Sequence, residues 1–564
     1  MTESALRVLM AILMAGVAFT AAAIPALAQE TGDAQAVVEK AALVVIAPPK
    51  SDIARIIKAS LQSNYYGAKP STRAYSQAQK LYFFYGARGF EPLWLSTAAD
   101  GSVTFSPNAG KIVDLFKASE LEGLRPSDYL SDNLDPAAAG TDPAKLAQLE
   151  TDFSAATLNY AQDLFGGRIA PTDVNENLTI TPKRLDAADT LTKLAASDDP
   201  AKFLLALDPP HKEFGLLKAA LAKFYDKDAL KTETTTIPDG PTLKLGMKDD
   251  RVPALRERLA VQAPEIPEGA TDAKVDTTYD KALLDAVKAF QASLGLTADG
   301  VLGPATVAAI NGAGQVSKDD IVANMERWRW EPNDFGDFHV EVNIPEFTVW
   351  IMKDGKSVHS TRVVVGRPTN QTPVFSDEIE DIVVNPYWNV PPSIATAEIK
   401  PHLIANPGYL ASQNMEMLSG SKVIDASAID WSTANINNYH VRQKPGGLNA
   451  LGQVKFLFPN EHDVYLHDTP SKSLFARSYR AYSHGCVRVQ NPMDFAGALV
   501  ATNPGITEDS LKAMFGDTEK WVQLKHHIPV HLMYFTLRVD DDGTIRSYGD
   551  VYGHNKKLIE LLNA

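Results

Sequence analysis

The chain has 564 residues, enough for about three or four domains at roughly 150 residues each. Its 45% hydrophobic and 22% charged residues exclude a wholly disordered or collagen-like chain. With 54 Lys+Arg against 69 Asp+Glu the net charge is −15, which argues against a protein that coats nucleic acid.

The first 28 residues read as a secretory signal peptide: Arg7, an uncharged apolar run from Val8 to Leu27, and the A-x-A site Ala26-Leu27-Ala28. The run is also near the ~18-residue limit for a membrane anchor. Its Ala content, Pro25 and the cleavage site favour removal, and no other stretch is apolar enough to span a bilayer. Residues 29–50 read as a linker ending in Ala47-Pro48-Pro49-Lys50. Residues 51–235 are Ala/Leu-rich with apolar positions at helical spacing, as in Lys111–Glu120 and Asp152–Leu164, and predict a helical region. The aromatic segment Leu81–Leu95 reads as a helix and turn packed into a core.

Residues 240–314 predict three short helices around one apolar centre. Val252, Leu255 and Leu259 recur at helical spacing, as do Leu283, Val287, Phe290 and Leu294. Pro304 opens the third helix and Gly312 follows it. From about residue 321 strands are expected: His339–Val342, Phe347–Met352, Ser357–Val365, Ile382–Asn385, Val454–Phe458 and Val464–His467. Residues 393–450, with helical and loop stretches, read as an insertion. A helix capped by Asn491 starts at Pro492, and a hairpin closes the chain at Val530–Val539 and Thr544–Tyr548.

The chain has one cysteine, Cys486. It can form neither an internal disulfide nor a multi-thiolate metal site. In an exported protein a lone thiol is a candidate reactive group. It sits in HDTPSKSLFARSYRAYSHGCVR, residues 467–488, between two histidines. An imidazole takes and returns a proton near neutral pH, and it favours the thiolate that a nucleophile needs. His484 lies two residues before Cys486. His467 ends a strand that can cross the sheet towards it. Gly485 permits a tight turn that presents N–H groups to an oxyanion. A core cysteine and a surface histidine remain the alternative reading of the same residues. No H-E-x-x-H and no Gly-rich phosphate loop occurs, so neither metal nor cofactor is implied.

Two segments resemble known families. LKLGMKDDRVPALRERL with AVKAFQASLGLTADGVLGPATVAAIN resembles the peptidoglycan-binding module of bacterial wall enzymes, a module that can equally serve as a spacer. HDTP...SHGCVR resembles the signature of the YkuD-type L,D-transpeptidases. VVGRP (364–368), Thr372-Pro373, NPYWNVP (385–391), GLNALG (447–452) and the 534–552 hairpin agree with that family's longer members. The whole is similar to the large YcbB-like proteins of Gram-negative bacteria. The resemblance implies a multidomain α+β chain: a helical N-terminal scaffold (51–235), a three-helix peptidoglycan-binding module (240–314) and a β-rich catalytic domain (321–564). It implies a periplasmic location after signal cleavage. It assigns Cys486 as nucleophile, His467 as general base, His484 and Gly485 as the oxyanion frame, Asp468 as backbone orienter and Arg488 as support. Tyr387, Trp388, Arg442 and Asn449 become candidate substrate contacts, although Trp388 also suits a core. The basic Lys472, Arg477 and Arg480 are expected to attract an anionic stem peptide.

The implied reaction attacks the third-residue carbonyl of a peptidoglycan tetrapeptide, releases D-alanine, and passes the acyl group to an amine of a second stem as a 3→3 cross-link. The partners are then stem peptides, with an outer-membrane protein as another possible acceptor and no nucleic acid. Hydrolysis by an L,D-carboxypeptidase, tethering of a protein to the wall, and a non-catalytic wall-binding scaffold are the alternatives.

Overall fold

The computed structural model describes residues 45–69, 73–131, 134–225, 237–259, 261–262, 276–293, 297–312, 316–477 and 479–564. The expected signal peptide and most of the expected linker lie outside the described residues. The architecture is multidomain α+β. It divides into two units: residues up to Thr104 with Pro136–Thr151 and Ala187–Thr192, and Phe105–Asp135 with Asp152–Asp186 and Lys193–Ala564.

In the first unit, helices α1 (Asp52–Gly67) and α2 (Arg73–Ala87) pack together. The Ser51 hydroxyl caps α1 by accepting the Ala54 N–H. The aromatic segment does pack inward, with Tyr82, Tyr85 and Phe90 in the core beside Ile57 and Leu61. A buried acid from the helix Pro143–Gly166 meets this segment. Glu150 Oε1 accepts the Tyr85 hydroxyl at 2.7 Å and the Leu93 N–H at 2.6 Å, and Oε2 accepts the Trp94 N–H at 3.1 Å, so both oxygens are satisfied.

In the second unit, α3 (Lys212–Tyr225) precedes the small module. The module has its three helices, α4 (Val252–Arg258), α5 (Lys281–Ser293) and α6 (Pro304–Gly312), around Val252, Leu255, Leu283, Val287 and Val307. The sequence then departs from expectation. Residues 321–330, read as the start of the strand region, belong to helix α7 (Lys318–Trp330). Ser317 and Asp320 make a capping box at its start. Its apolar period is obscured because the polar residues are buried too. Glu326 accepts the N–H groups of Arg168 and Ile169, at 2.5 and 2.8 Å, and Arg327 donates to Asn555 at 2.8 Å. A helix with no solvent face shows no amphipathic stripe.

The C-terminal region is a ring of strands: β1 (Phe338–Asn343), β2 (Thr348–Lys353), β3 (Lys356–Gly366), β4 (Phe375–Val384), β9 (Val454–Leu457), β10 (Leu466–His467), β12 (Val487–Val489) and β13 (Lys520–Met533). Between β4 and β9 lie the short strands β5 (Trp388–Asn389), β6 (Met415–Ser419), β7 (Lys422–Ile424) and β8 (His440–Gln443). The strand β11 (Ala481–Ser483) precedes β12. The ring runs β3-β12-β10-β9-β4-β13-β1-β2 and returns to β3. It closes because β3 is long enough for two neighbours: Lys356–Arg362 pairs with β2, and Val363 and Val364 pair with β12. Closure removes the exposed edges an open sheet would carry. Val340, Val349, Val363, Ile382, Phe456 and Val487 fill the core, and helix α8 (Pro492–Leu499) adds Phe495 against Phe456 at 5.0 Å. Asn491 does not cap α8 with its side chain. It takes a left-handed φ of 50° instead.

Two features cross the expected boundaries. Leu178, from the region read as scaffold, bridges to Val374 and joins the core of the ring. The insertion is a lobe with its own sheet, β5-β8-β6-β7, and its own core around Leu403, Trp431, Ile436 and Val441.

Gly366 ends β3 where the chain folds back tightly. A Cβ there would lie 2.1 Å from the Asn370 carbonyl oxygen and 2.7 Å from the Thr372 nitrogen. Gly366→Ala should therefore cost at least about 2 kcal/mol, read as a lower urea midpoint with an unchanged slope.

Candidate active site

Strand pairing brings the predicted residues together. β10 and β12 run parallel, with His467 opposite Arg488 and Leu466 opposite Val487. Cys486 immediately precedes β12 and so lies beside the strand that ends in His467. One cavity of about 280 Å3 is lined by His467, Cys486, Arg488, His484, Tyr465 and Trp388.

The imidazole is pinned. His467 Nδ1 lies 2.5 Å from the carbonyl oxygen of Asp468. A carbonyl only accepts, so Nδ1 carries the hydrogen and Nε2 is left as the ring's acceptor. Asp468 is itself clamped: its carboxylate accepts the N–H groups of Thr469 at 2.7 Å and Gln453 at 2.9 Å, and pairs with Lys472. A Cβ on Gly452, which has a φ of 62°, would fall 2.2 Å from the Asp468 carboxylate. That close approach is the reason for glycine at this position.

The turn bearing the thiol is equally fixed. Gly485 has a φ of 120°, open to glycine and costly for other residues. The Thr372 hydroxyl donates to the Gly485 carbonyl at 2.6 Å, and Ser483 Oγ donates to the Cys486 carbonyl at 2.5 Å. Holding the Gly485 carbonyl towards Thr372 turns the Cys486 N–H the other way across the planar peptide. Among the described residues that N–H has no acceptor. It is a free donor beside the sulfur.

The half-buried thiol donates to the Asp463 carbonyl at 3.8 Å. Burial pushes its pKa up to about 11, against the opposing effects of the Tyr465 N–H and hydroxyl and of Arg488. Burial, then the Arg488 charge, push His467 down to about 3, although its bond to Asp468 acts the other way. At neutral pH the resting pair is thiol and imidazole, not thiolate and imidazolium. Arg488 Nε is buried without a hydrogen-bond partner.

Other predicted residues sit differently. His484 pairs at 2.7 Å with Glu398 of the insertion lobe. Tyr387 lines a second, larger cavity, and Trp388 lines the first while packing on the lobe's core. Arg442 does not reach out as a free cation. It is held by Glu416, with Nη2 at 2.5 Å, and stacks 4.4 Å over the Tyr387 ring. Asn449 is fully buried: it donates to the carbonyls of Pro386 at 2.9 Å and Lys444 at 3.0 Å, and accepts the Leu451 N–H at 2.8 Å. It shapes the loop and has no surface for a substrate. Of the basic loop, Lys472 is tied to Asp468, and Arg480 is buried, donating to the carbonyls of Val363 and Phe347. The sequence reading overlooked Tyr465. Its signal was available, because Tyr465 and His467 are two apart on one extended segment and so share a face.

Residues 337–505 match the family model described as the L,D-transpeptidase catalytic domain, YkuD. Over that region the chain is similar to the L,D-transpeptidases. Residues 79–221 match a scaffold domain, and residues 248–310 match the family described as "Putative peptidoglycan binding domain". A Haemophilus influenzae protein named "Putative L,D-transpeptidase" is 34% identical over 243 residues, covering 42% of this chain and 48% of that protein. The match thus spans about half the length of that relative. Among solved structures, an L,D-transpeptidase from Xylanimonas cellulosilytica is 20% identical, covering 52% of this chain and 98% of that one, with a TM-score of 0.17. One from Mycobacterium smegmatis is 12% identical over 35% of this chain and 58% of that one, with a TM-score of 0.18. Cys486, His467 and the Gly485 turn all fall within the residues that match the catalytic-domain model.

The raised thiol pKa of this domain has a direct readout. Only about one thiol in ten thousand is ionised at pH 7 when the pKa is about 11. Alkylation of Cys486 by iodoacetamide should be slow at pH 7 and rise about tenfold per pH unit to pH 10 or above. A rate already on its plateau at pH 7 would show a preformed ion pair instead.

Proposed function

We propose that this protein is an exported, cysteine-dependent L,D-transpeptidase acting on peptidoglycan stems. The observation that carries the reading is the pinned imidazole of His467 and the thiol of Cys486 lining one cavity, beside an N–H with no acceptor. His467 Nε2 takes the thiol proton as the sulfur attacks the third-residue carbonyl of a tetrapeptide stem. The Cys486 N–H meets the oxyanion, and Gly485 and His484 frame that turn. The tetrahedral intermediate collapses as His467 returns the proton to the departing D-alanine amine. This leaves a thioester. An amine of a second stem then gives its proton to His467, attacks the thioester, and releases the thiol with the proton restored. The product is a 3→3 cross-link.

A second stem is favoured over water as acceptor by the space around the site. The cavity at Cys486 adjoins one of about 560 Å3, and the two share Pro391, Asp463, Val464 and Tyr465. Two compartments meeting near one sulfur suit two peptide substrates. Arg488, buried beside the thiol, supports the developing negative charge. The module at 248–310 would hold the enzyme on the wall, and the apolar N-terminal segment would direct export to the periplasm. Among the described residues no helix is long and apolar enough to cross a membrane.

Incubation with purified disaccharide-tetrapeptide should give a mass adduct on Cys486 equal to the stem lacking its terminal alanine, followed by a dimer. Cys486→Ala should abolish both, and His467→Ala should slow adduct formation by about 10²–10⁴-fold. Tripeptide monomer as the sole product would make the enzyme a hydrolase.

A further inference from the structure

The larger cavity contains a cation that the reaction above does not use. Lys455 lies on β9 directly opposite His467 on β10, and its side chain lines the 560 Å3 cavity. Its Nζ sits between two aromatic rings, 5.4 Å from the centroids of both Tyr465 and Trp521. Among the described residues it makes no ion pair and no hydrogen bond. Glu519 is the first of the negative groups that act on it, yet Glu519 is occupied elsewhere. One oxygen accepts the Tyr387 N–H at 2.6 Å and the other accepts Trp521 Nε1 at 3.1 Å. Glu519 therefore fixes the ring that stacks on Lys455 and leaves the ammonium unpaired.

A half-buried ammonium without an anion is costly, and burial lowers its pKa accordingly. Two rings offset part of that cost through cation–π attraction. They also confine the ammonium, so its remaining hydrogen-bonding capacity is available to whatever fills the cavity. By contrast Arg442, on the neighbouring lobe, already has its carboxylate in Glu416.

We propose that Lys455, held between Tyr465 and Trp521, is the carboxylate-binding residue of the larger cavity and selects stem peptides that carry a free carboxylate. The inference rests on the transpeptidase reading for the peptide class, but it is tested by binding alone. A stem tetrapeptide has carboxylates at its terminus and on its side chains, and either can supply the anion.

The experiment measures calorimetric binding to Cys486→Ala protein, which cannot react. The ligands are the disaccharide-tetrapeptide and two versions of it, amidated at the terminal or at the side-chain carboxylates. One of the two amides should bind about tenfold or more weakly than the acid, and which one identifies the source of the carboxylate. Adding Lys455→Gln should weaken the acid to the level of that amide and remove the preference. Lys455→Arg should keep most of it. Equal binding of all three peptides, no binding of the acid, or a preference that survives Lys455→Gln, overturns the inference. A missing thioester on the wild-type enzyme with the preference intact would instead overturn the transpeptidase reading and leave Lys455 as a carboxylate site.

Discussion

His467 Nδ1 donates to the carbonyl of the next residue, Asp468, and the rest of the site is arranged around that bond. It commits the ring to one tautomer and one orientation. A bond to a neighbour in sequence would be loose if Asp468 could move, so the structure spends four groups on holding Asp468: the N–H groups of Thr469 and Gln453, the Lys472 ammonium, and the absent side chain of Gly452. The ring of strands does the remaining alignment. Parallel pairing of β10 with β12 sets His467 against Arg488, two residues beyond the thiol. His467 is thus placed by backbone hydrogen bonds in a closed sheet, and Cys486 by the turn that leads directly into β12.

Each of the two adjoining cavities carries a cation with no ion-pair partner, although Asp463 lines both. Arg488 lines the smaller cavity and Lys455 the larger, each without a carboxylate at ion-pair distance among the described residues, while burial favours the neutral thiol and imidazole. An uncompensated positive field costs stability, and it is also what a reaction that develops negative charge on sulfur and then on oxygen requires. The insertion lobe joins the site through an anion, Glu398, which meets His484 at 2.7 Å and Arg367 at 4.0 Å. It touches the rim and leaves the two inner cations unneutralised.

Much of this was legible in the sequence where the information is local. The three helices at 252–312, the strand end at His467 and the Gly485 turn follow from spacing and residue type, whereas the strand β12 at Val487–Val489 was not expected. The resemblance then gave Cys486 and His467 their roles. What was hidden depends on long-range pairing. Helix α7 buries Glu326 and Arg327 against Arg168 and Asn555, partners far away in sequence, so its polar residues masked the period. The lobe's sheet pairs β5 with β8 across about fifty residues of irregular chain. Arg442 and Asn449 carry the side chains of ligand-binding residues, yet their partners, Glu416 and the Pro386 carbonyl, are supplied by the fold. Lys455 is the converse. In sequence it is an ordinary strand lysine, and only the register opposite His467 and the ring of Trp521 give it a role.

That register couples substrate capture to basicity. Lys455 is among the charges that depress His467, after burial and Arg488. A carboxylate seated on Lys455 would cancel its share of the field, and the imidazole would become more basic once an anionic stem is in place. Exclusion of water by the same ligand acts oppositely, since desolvation disfavours the imidazolium. Relief of that charge alone would favour the imidazolium, in the direction that eases proton transfer from Cys486. A thiol held protonated at rest is also a poor target for small oxidants, which attack the thiolate.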